Sequence, residues 1–183
     1  MDNGENSYRR FLEGDNEGLH EIICTYRSGL ILYLNSFVQN IHTAEELTED
    51  TFFEMMKKRP KFSGKSSFKT WLYAIGRNVT AKYLRKHTKL SVVPLESLEY
   101  VADLENIEGN YIKNEQKRTV HKALYNLKLE YRQILYLSYF EEFSNSEAAV
   151  IMKKSNKQVK ALLYNAKKAL KSELERSGFE YEE

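Results

Sequence analysis

The sequence predicts an all-α protein: two small helical domains joined by a flexible acidic linker, the C-terminal one containing a helix-turn-helix. Three observations carry this. Apolar residues recur at three- and four-residue steps through most of the chain, and no period-two alternation between turn signals is sustained. The helical period lapses between residues 88 and 111, a stretch holding Pro94, Gly109 and several acids. Three S/T-x-x-E/Q pairs, Thr43/Glu46, Ser144/Glu147 and Ser155/Gln158, stand where helices would start, each able to satisfy free backbone N–H groups of a first turn.

Taken in order, a long helix is expected from about residue 19 to 38, with Leu19, Ile22, Ile23, Tyr26, Leu30, Leu34 and Phe37 at helical spacing. The next begins at Thr43 and ends near Lys58, because a residue preceding Pro60 avoids the helical region. A third starts near Ser66 or Ser67 and buries Phe68, Leu72, Ile75, Val79 and Tyr83. Beyond the linker, helices are expected over 112–127 and 130–140. Ser144 then opens the short helix SEAAVIM, and Ser155 opens a long one reaching about Glu175. Lys153-Lys154-Ser155 separates them, and the small Ala148 and Ala149 lie on the first. Those are the dimensions of a helix-turn-helix, whose second helix enters the DNA major groove. Similar hairpins occur in proteins without a nucleic-acid role, so spacing alone leaves both readings open.

Composition sets the outer limits. With 183 residues, 42% hydrophobic and 30% charged, the chain has the make-up of a globular protein with a real core. Its longest clean apolar run, residues 29–32, is far short of the roughly 20 residues a membrane span needs, and MDNGENSYRR lacks the apolar stretch of a signal peptide. One cysteine, Cys24, allows no internal disulfide and fits a reducing compartment, so the expected location is the cytoplasm. Cys24 lies among apolar helical positions and is expected to be a buried structural thiol. His20, His42, His87 and His121 are scattered without metal-ligand spacing. Gly64-Lys65-Ser66-Ser67 lacks the first glycine of a phosphate loop, and the Glu45/Glu46/Glu49/Asp50 cluster has no EF-hand pattern. No enzyme activity, cofactor or metal is expected.

Net charge is only +2, but it is segregated. Residues 42–54 hold five acids and no Lys or Arg, whereas 57–95 hold eleven Lys or Arg and no acid. Residues 96–115 carry six acids against Lys113, and 153–172 carry seven lysines and no acid. Eighteen of the 28 basic residues thus sit in two acid-free blocks, which implies two surfaces for a polyanion.

Each block fits nucleic acid differently. On the last helix, Val159, Leu163, Ala166 and Leu170 are spaced to face a core, leaving Lys157, Lys160, Tyr164, Lys167 and Lys171 on a second line. A solvated helix face normally interleaves Glu with Lys, since like charges at i, i+4 cost a few tenths of a kcal/mol; a phosphate partner would offset the repulsion here. In the other block, Trp71, Asn78 and Arg85 lie seven apart along one helix flank. An aromatic, an amide and cations on one surface suit single-stranded nucleic acid, whose bases stack and are read by amides. Residues 61–67 precede this helix, and Gly64 frees the loop to aim N–H groups and hydroxyls at an extruded base.

These residues resemble the extracytoplasmic-function (ECF) sigma factors of bacterial RNA polymerase, within the sigma-70 family, over about residues 8–175. TAEELTEDTF at 43–52 is similar to the family's AEDLTQEVF segment. FKTWLYAIGRN at 68–78, followed by Tyr83-Leu84-Arg85, resembles its F-x-T-W-L-x-x-I-x-x-N signature. The second domain echoes A-L-x-x-L-x-x-x-x-R-x-x-x-x-L from Ala123 to Leu137 and the helix-turn-helix over 146–169. The resemblance implies a region 2 domain at 1–87, a linker at 88–111 and a region 4 domain at 112–178. It implies core RNA polymerase and promoter DNA as partners, an anti-sigma factor as a further one, and no membrane insertion. Glu45, Glu46, Leu47, Glu49, Asp50 and Phe53 would dock on the polymerase clamp. Phe62, Ser63, Lys65, Ser66, Trp71, Ile75, Arg77, Asn78, Lys82 and Arg85 would melt and read the minus-ten element as a single strand. Lys157, Gln158, Lys160, Ala161, Tyr164, Asn165 and Lys167 would lie on the minus-thirty-five duplex.

The chain departs from the pattern at four places. Lys153 stands where the turn usually has Gly, Lys128 where Pro is common, and Ala161 and Asn165 where Ser and Arg often sit. The last two leave the recognition helix to bind phosphates more than bases. The competing reading is a stand-alone helix-turn-helix regulator whose first domain dimerises. It expects palindromic duplex binding without polymerase.

Overall fold

The computed structural model describes residues 3–58, 62–87 and 115–178. Among these the chain is helical without a strand. The first half holds α1 (Asn3–Leu12), α2 (Asn16–Val38), α3 (Ile41–Lys58) and α4 (Phe68–His87). The second holds α5 (Glu115–Asn126), α6 (Leu129–Leu135), a π-helical segment (Tyr136–Phe140), α7 (Asn145–Met152) and α8 (Asn156–Arg176). The expected linker at 88–111 and helix start at 112 lie outside the described residues.

Helix α1 was not anticipated, because its segment is polar except for Tyr8, Phe11 and Leu12. Tyr8 and Phe11 are both buried and anchor it. At the corner with α2, Ser7 Oγ donates to Glu21 at 2.6 Å, and Arg10 pairs with Asp15 at 2.7 Å and Glu21 at 2.8 Å. The Ser7 and Arg10 hydrogen bonds hold the Glu21 carboxyl below its ordinary range, and the Arg10 bond does the same for Asp15. Gly18 makes the approach possible: a Cβ there would strike the Ser7 carbonyl and the Phe11 nitrogen.

Helix α2 is the central post. From Leu30 to Ser36 every residue is buried, which an amphipathic surface helix cannot be. The apolar run beginning at Gly29 is explained by neighbours on all sides: α3 and α4 on one, α6 and the π segment on another. Gln39 ends α2 in the left-handed conformation (φ 51°). The cap of α3 then differs from expectation. Asn40, not Thr43, receives the first-turn amide, its Oδ1 accepting from Thr43 N at 2.9 Å, so the helix begins at Ile41. Helix α4 starts as expected, with Ser67 Oγ accepting from Thr70 N at 3.2 Å.

The two halves share one apolar core. Tyr73 of α4 meets Phe143 edge-on at 5.0 Å. Lys69 pairs with Glu141 at 2.8 Å and lies 4.8 Å from the Phe143 ring centre. Arg132, buried on α6, donates from Nε to the Ser36 carbonyl at 3.0 Å and from an Nη to Tyr125 and Leu127 carbonyls. It thereby closes the end of α2 and the α5–α6 corner together, and burial lowers its pKa. Gln39 Nε2 adds a bond to the Tyr125 carbonyl at 2.9 Å. Cys24, expected in the core, is exposed, with its Sγ 3.5 Å from His20 Nε2. The apolar period of α2 runs beside it rather than through it.

Candidate nucleic-acid interface

The helix-turn-helix is built as its sequence prescribes. Ser144 caps α7 and Ser155 caps α8, each in a complete capping box with Glu147 and Gln158. Lys153, standing where Gly is usual, takes the left-handed conformation itself (φ 54°, ψ 45°), and its N–H still caps the Ala149 and Val150 carbonyls. The turn is therefore regular, at the cost of a non-glycine residue in left-handed space, about 1 kcal/mol. Val159 and Ala166 of α8 are buried, with Leu163 and Leu170 half-buried against the same core. On the opposite side Lys157, Gln158, Lys160, Ala161, Tyr164, Asn165 and Lys167 are all exposed, Tyr164 at 71%. The spacing argument thus holds along this helix. Lys154, which it did not single out, pairs with Glu130 at 2.8 Å and brackets the start of the same surface.

On α4 the residues Trp71, Ile75, Asn78, Lys82 and Arg85 follow steps of four and three, forming one line. Asn78, Lys82 and Arg85 are exposed, while Trp71 and Ile75 are half-buried. Phe62, in the preceding loop, lies 5.6 Å from Trp71 and 6.0 Å from Phe68, ring centre to ring centre. Tyr8 backs Trp71 at 5.2 Å, so α1 supplies the rear wall of this aromatic cluster. Ser63 and Lys65 are exposed around Gly64 (φ 67°), and Ser66 is half-buried. Sequence reasoning missed Tyr8 because nothing in α1 carries the pattern of the loop and helix it supports.

Arg77 departs from the expectation. Its Nε is buried without a hydrogen-bond partner, and its charge acts on the buried Tyr33 hydroxyl, whose pKa burial nonetheless pushes well up. It belongs to the α2–α4 seam because its position, one turn from Tyr73, turns it inward. Lys69 is likewise withdrawn from the basic block by Glu141. Five of the six docking residues on α3 are exposed or half-buried, including Phe53 at 54% exposure. Leu47, the sixth, is buried at 2%: it lies on the inner stripe of the helix and is core. Glu45 faces Arg27 at 3.6 Å and His42 at 3.7 Å. No metal-binding group of three or more His, Cys, Asp or Glu occurs among the described residues. No helix among them is long and apolar enough to cross a membrane.

Between α4 and α7, Glu147 does two things at once. Its Oε2 accepts from Ser144 N at 3.0 Å and Ser144 Oγ at 2.7 Å. Its Oε1 accepts from Ser67 Oγ and Thr70 Oγ1, both at 3.1 Å. One carboxylate caps the helix-turn-helix and ties it to the start of α4. Partial burial raises its pKa, and the hydrogen bonds from Ser144, Ser67 and Thr70 outweigh that, leaving it below the ordinary value. The seam lies on the Thr70–Tyr73 face of α4, so the Trp71–Asn78–Arg85 line and the α8 lysines both stay open.

Two family models match the chain in order: Sigma-70 region 2 over residues 22–90 and Sigma-70, region 4 over 117–170. The RNA polymerase sigma-H factor of Pseudomonas aeruginosa is 26% identical over 141 residues, covering 72% of this chain and 73% of that one. The ECF RNA polymerase sigma factor SigW of Bacillus subtilis is 25% identical over 138 residues, covering 70% and 74%. Among solved structures, CnrH in complex with the cytosolic domain of CnrY has the same fold, with a TM-score of 0.70 at 18% identity over 96% of this chain and 99% of that one. The sigma factor RpoE of Bartonella quintana, crystallised with the anti-sigma factor NepR, has a TM-score of 0.66 at 22% identity, covering 86% and 96%.

Proposed function

The chain belongs to the sigma-70 family as an ECF sigma factor, an alternative sigma factor that directs transcription, and from that premise we propose how its surfaces divide the work. The first half, through residue 87, docks core RNA polymerase with the outer face of α3: Glu45, Glu46, Glu49, Asp50 and Phe53. The Phe62–Trp71 cluster receives an extruded base of the minus-ten strand, and Asn78, exposed two turns along the same line of α4, reads a base edge, since rings and an amide on one surface offer stacking and hydrogen bonding together. Ser63, Lys65, Lys82 and Arg85 follow the backbone of that strand. The second half, 112–178, lays α8 in the minus-thirty-five major groove. Lys157, Lys160 and Lys167 meet phosphates, and Gln158, Tyr164 and Asn165 face the base edges. The work is transcription initiation in the cytoplasm, without catalysis by the chain itself.

The observation that carries the reading is the pair of open basic surfaces, one on each side of a shared seam. Promoter elements centred roughly 25 base pairs apart are separated by about 85 Å of B-DNA at about 3.4 Å per pair. Halves in contact through α4 and α7 cannot reach both. We therefore infer that they part on the promoter, the 27 residues from 88 to 114 spanning up to about 90 Å when extended. An anti-sigma factor, such as the NepR crystallised with RpoE, would hold the closed arrangement. Gel-shift analysis with and without core polymerase tests the reading. Promoter binding that needs polymerase supports it; tight binding to a palindromic duplex by the chain alone favours a stand-alone regulator.

A further inference from the structure

The exposed face of α8 is not uniform. At about 100° of turn per residue, Ala161 stands almost opposite the buried Val159 and Ala166. Lys160, Tyr164, Lys167 and Lys171 fall to one side of it, and Gln158 and Asn165 to the other. Beyond that second side a groove of about 540 Å³ separates α8 from the start of α6, lined by Lys128, Lys154, Gln158, Ala161 and Asn165. The helix therefore has a lysine flank and an amide flank, with the Ala161 methyl between them.

Its three amides are not equivalent. Gln158 Oε1 accepts from Ser155 N at 2.8 Å to complete the cap of α8, so only its NH2 is left to bind a base. Asn156 is the first residue of the helix and lies about 140° around from Ala161. Asn165 is exposed, and its side chain makes no hydrogen bond among the described residues. It alone offers an acceptor and a donor together on the outward face.

We propose that Asn165 reads an adenine of the minus-thirty-five duplex. The assignment rests on the placing of α8 in the major groove and names what the helix recognises there. Adenine presents an acceptor, N7, beside a donor, the N6 amine, and a carboxamide with both groups free meets the two at once. Gln158, its carbonyl occupied, donates to N7, O6 or O4 alike and does not single out adenine. A lysine is a point charge that takes a phosphate as readily as a guanine edge, so the lysine flank adds affinity more than choice. Ala161, one turn before Asn165, carries only a methyl, which lets the helix lie close enough for a short side chain to reach. The spacing agrees. Ala161, Tyr164, Asn165 and Lys168, all exposed, follow steps of three, one and three. A homeodomain recognition helix meets the major groove with the same steps, and its asparagine at the third place binds adenine.

The test is transcription by the full chain with core RNA polymerase. The templates form a library built on one of its mapped promoters and randomised across the minus-thirty-five element, each identified by a barcode in its transcript. At one position the intact chain should prefer adenine to guanine by about 5- to 150-fold, the discrimination of one bidentate pair. Asn165→Ala should flatten that position alone. Asn165→Arg should turn its preference to guanine, whose O6 and N7 suit a guanidinium, a gain that a misfolded variant could not imitate. If the Arg variant keeps the preference of the intact chain, or only loses output evenly over all positions, the assignment is overturned while α8 stays on the duplex. Output from the intact chain that ignores the whole minus-thirty-five element would overturn the placing of α8 itself, and this assignment with it.

Discussion

Replacing Glu147 with Ala probes the joint between the halves, and its cost can be worked from four hydrogen bonds. Two bonds, from Ser144 N and Oγ, complete the cap of α7; losing a cap costs about 1 kcal/mol. The other two, from Ser67 and Thr70, cross to α4. A hydrogen bond to a charged group contributes about 1.5–3 kcal/mol, but this carboxylate is only partly buried, so the crossing pair together contributes about 1–2 kcal/mol. Glu147→Ala should therefore destabilise the full chain by about 2–3 kcal/mol in urea titrations. Made in a Ser67→Ala/Thr70→Ala background, the same change should cost only the cap, about 1 kcal/mol. The coupling of about 1 kcal/mol or more measures the seam. The pH dependence must agree. The folded pKa of Glu147 is depressed, so its contribution is present above the unfolded glutamate pKa near 4.3 and is lost as pH falls through the folded value. Additivity within about 0.3 kcal/mol would mean that Glu147 does not join α7 to α4, and the closed arrangement would lose one of its polar ties.

Three further outcomes are expected. Asn78→Ala should reduce promoter melting, read by permanganate reactivity of unpaired thymines, while polymerase binding is retained; unchanged melting would remove Asn78 from the base site. Lys157→Ala/Lys160→Ala should lower the salt slope of promoter engagement by about 1.8, whereas an unaltered slope would make these lysines solvated surface. Lys153→Gly should raise stability by up to about 1 kcal/mol by relieving the left-handed residue, offset in part by the freedom glycine gains in the unfolded chain; destabilisation would show that the lysine side chain contributes contacts of its own.

Much of this was legible in the sequence, for identifiable reasons. The two serine capping boxes fixed α7 and α8 because their signals are local and complete within four residues. The lysine line of α8 followed from a period that nothing distant disturbs. Tertiary context decided the rest. Thr43 looked like a cap, but Asn40, one left-handed residue after α2, took the role. Leu47 and Arg77 sat within motifs that name docking and DNA-reading residues, yet packing turned Leu47 into the core and the Arg77 Nε into the α2–α4 seam. Helix α1 was hidden because its only apolar anchors buried in the core are Tyr8 and Phe11, and its other ties to α2 are polar. Cys24 shows the converse, an apolar neighbourhood in sequence that lies on the outside of the helix.

The most direct test of the central claim is transcription itself. Core bacterial RNA polymerase would be incubated with fragmented DNA of the host genome, with and without this protein, and the 5′ ends of the transcripts sequenced. The account predicts new start sites only when both proteins are present, sharing one minus-ten and one minus-thirty-five element, and their loss when Lys157 and Lys160 are replaced together. Start sites unchanged by the protein, alongside a palindromic duplex bound tightly without polymerase, would contradict it.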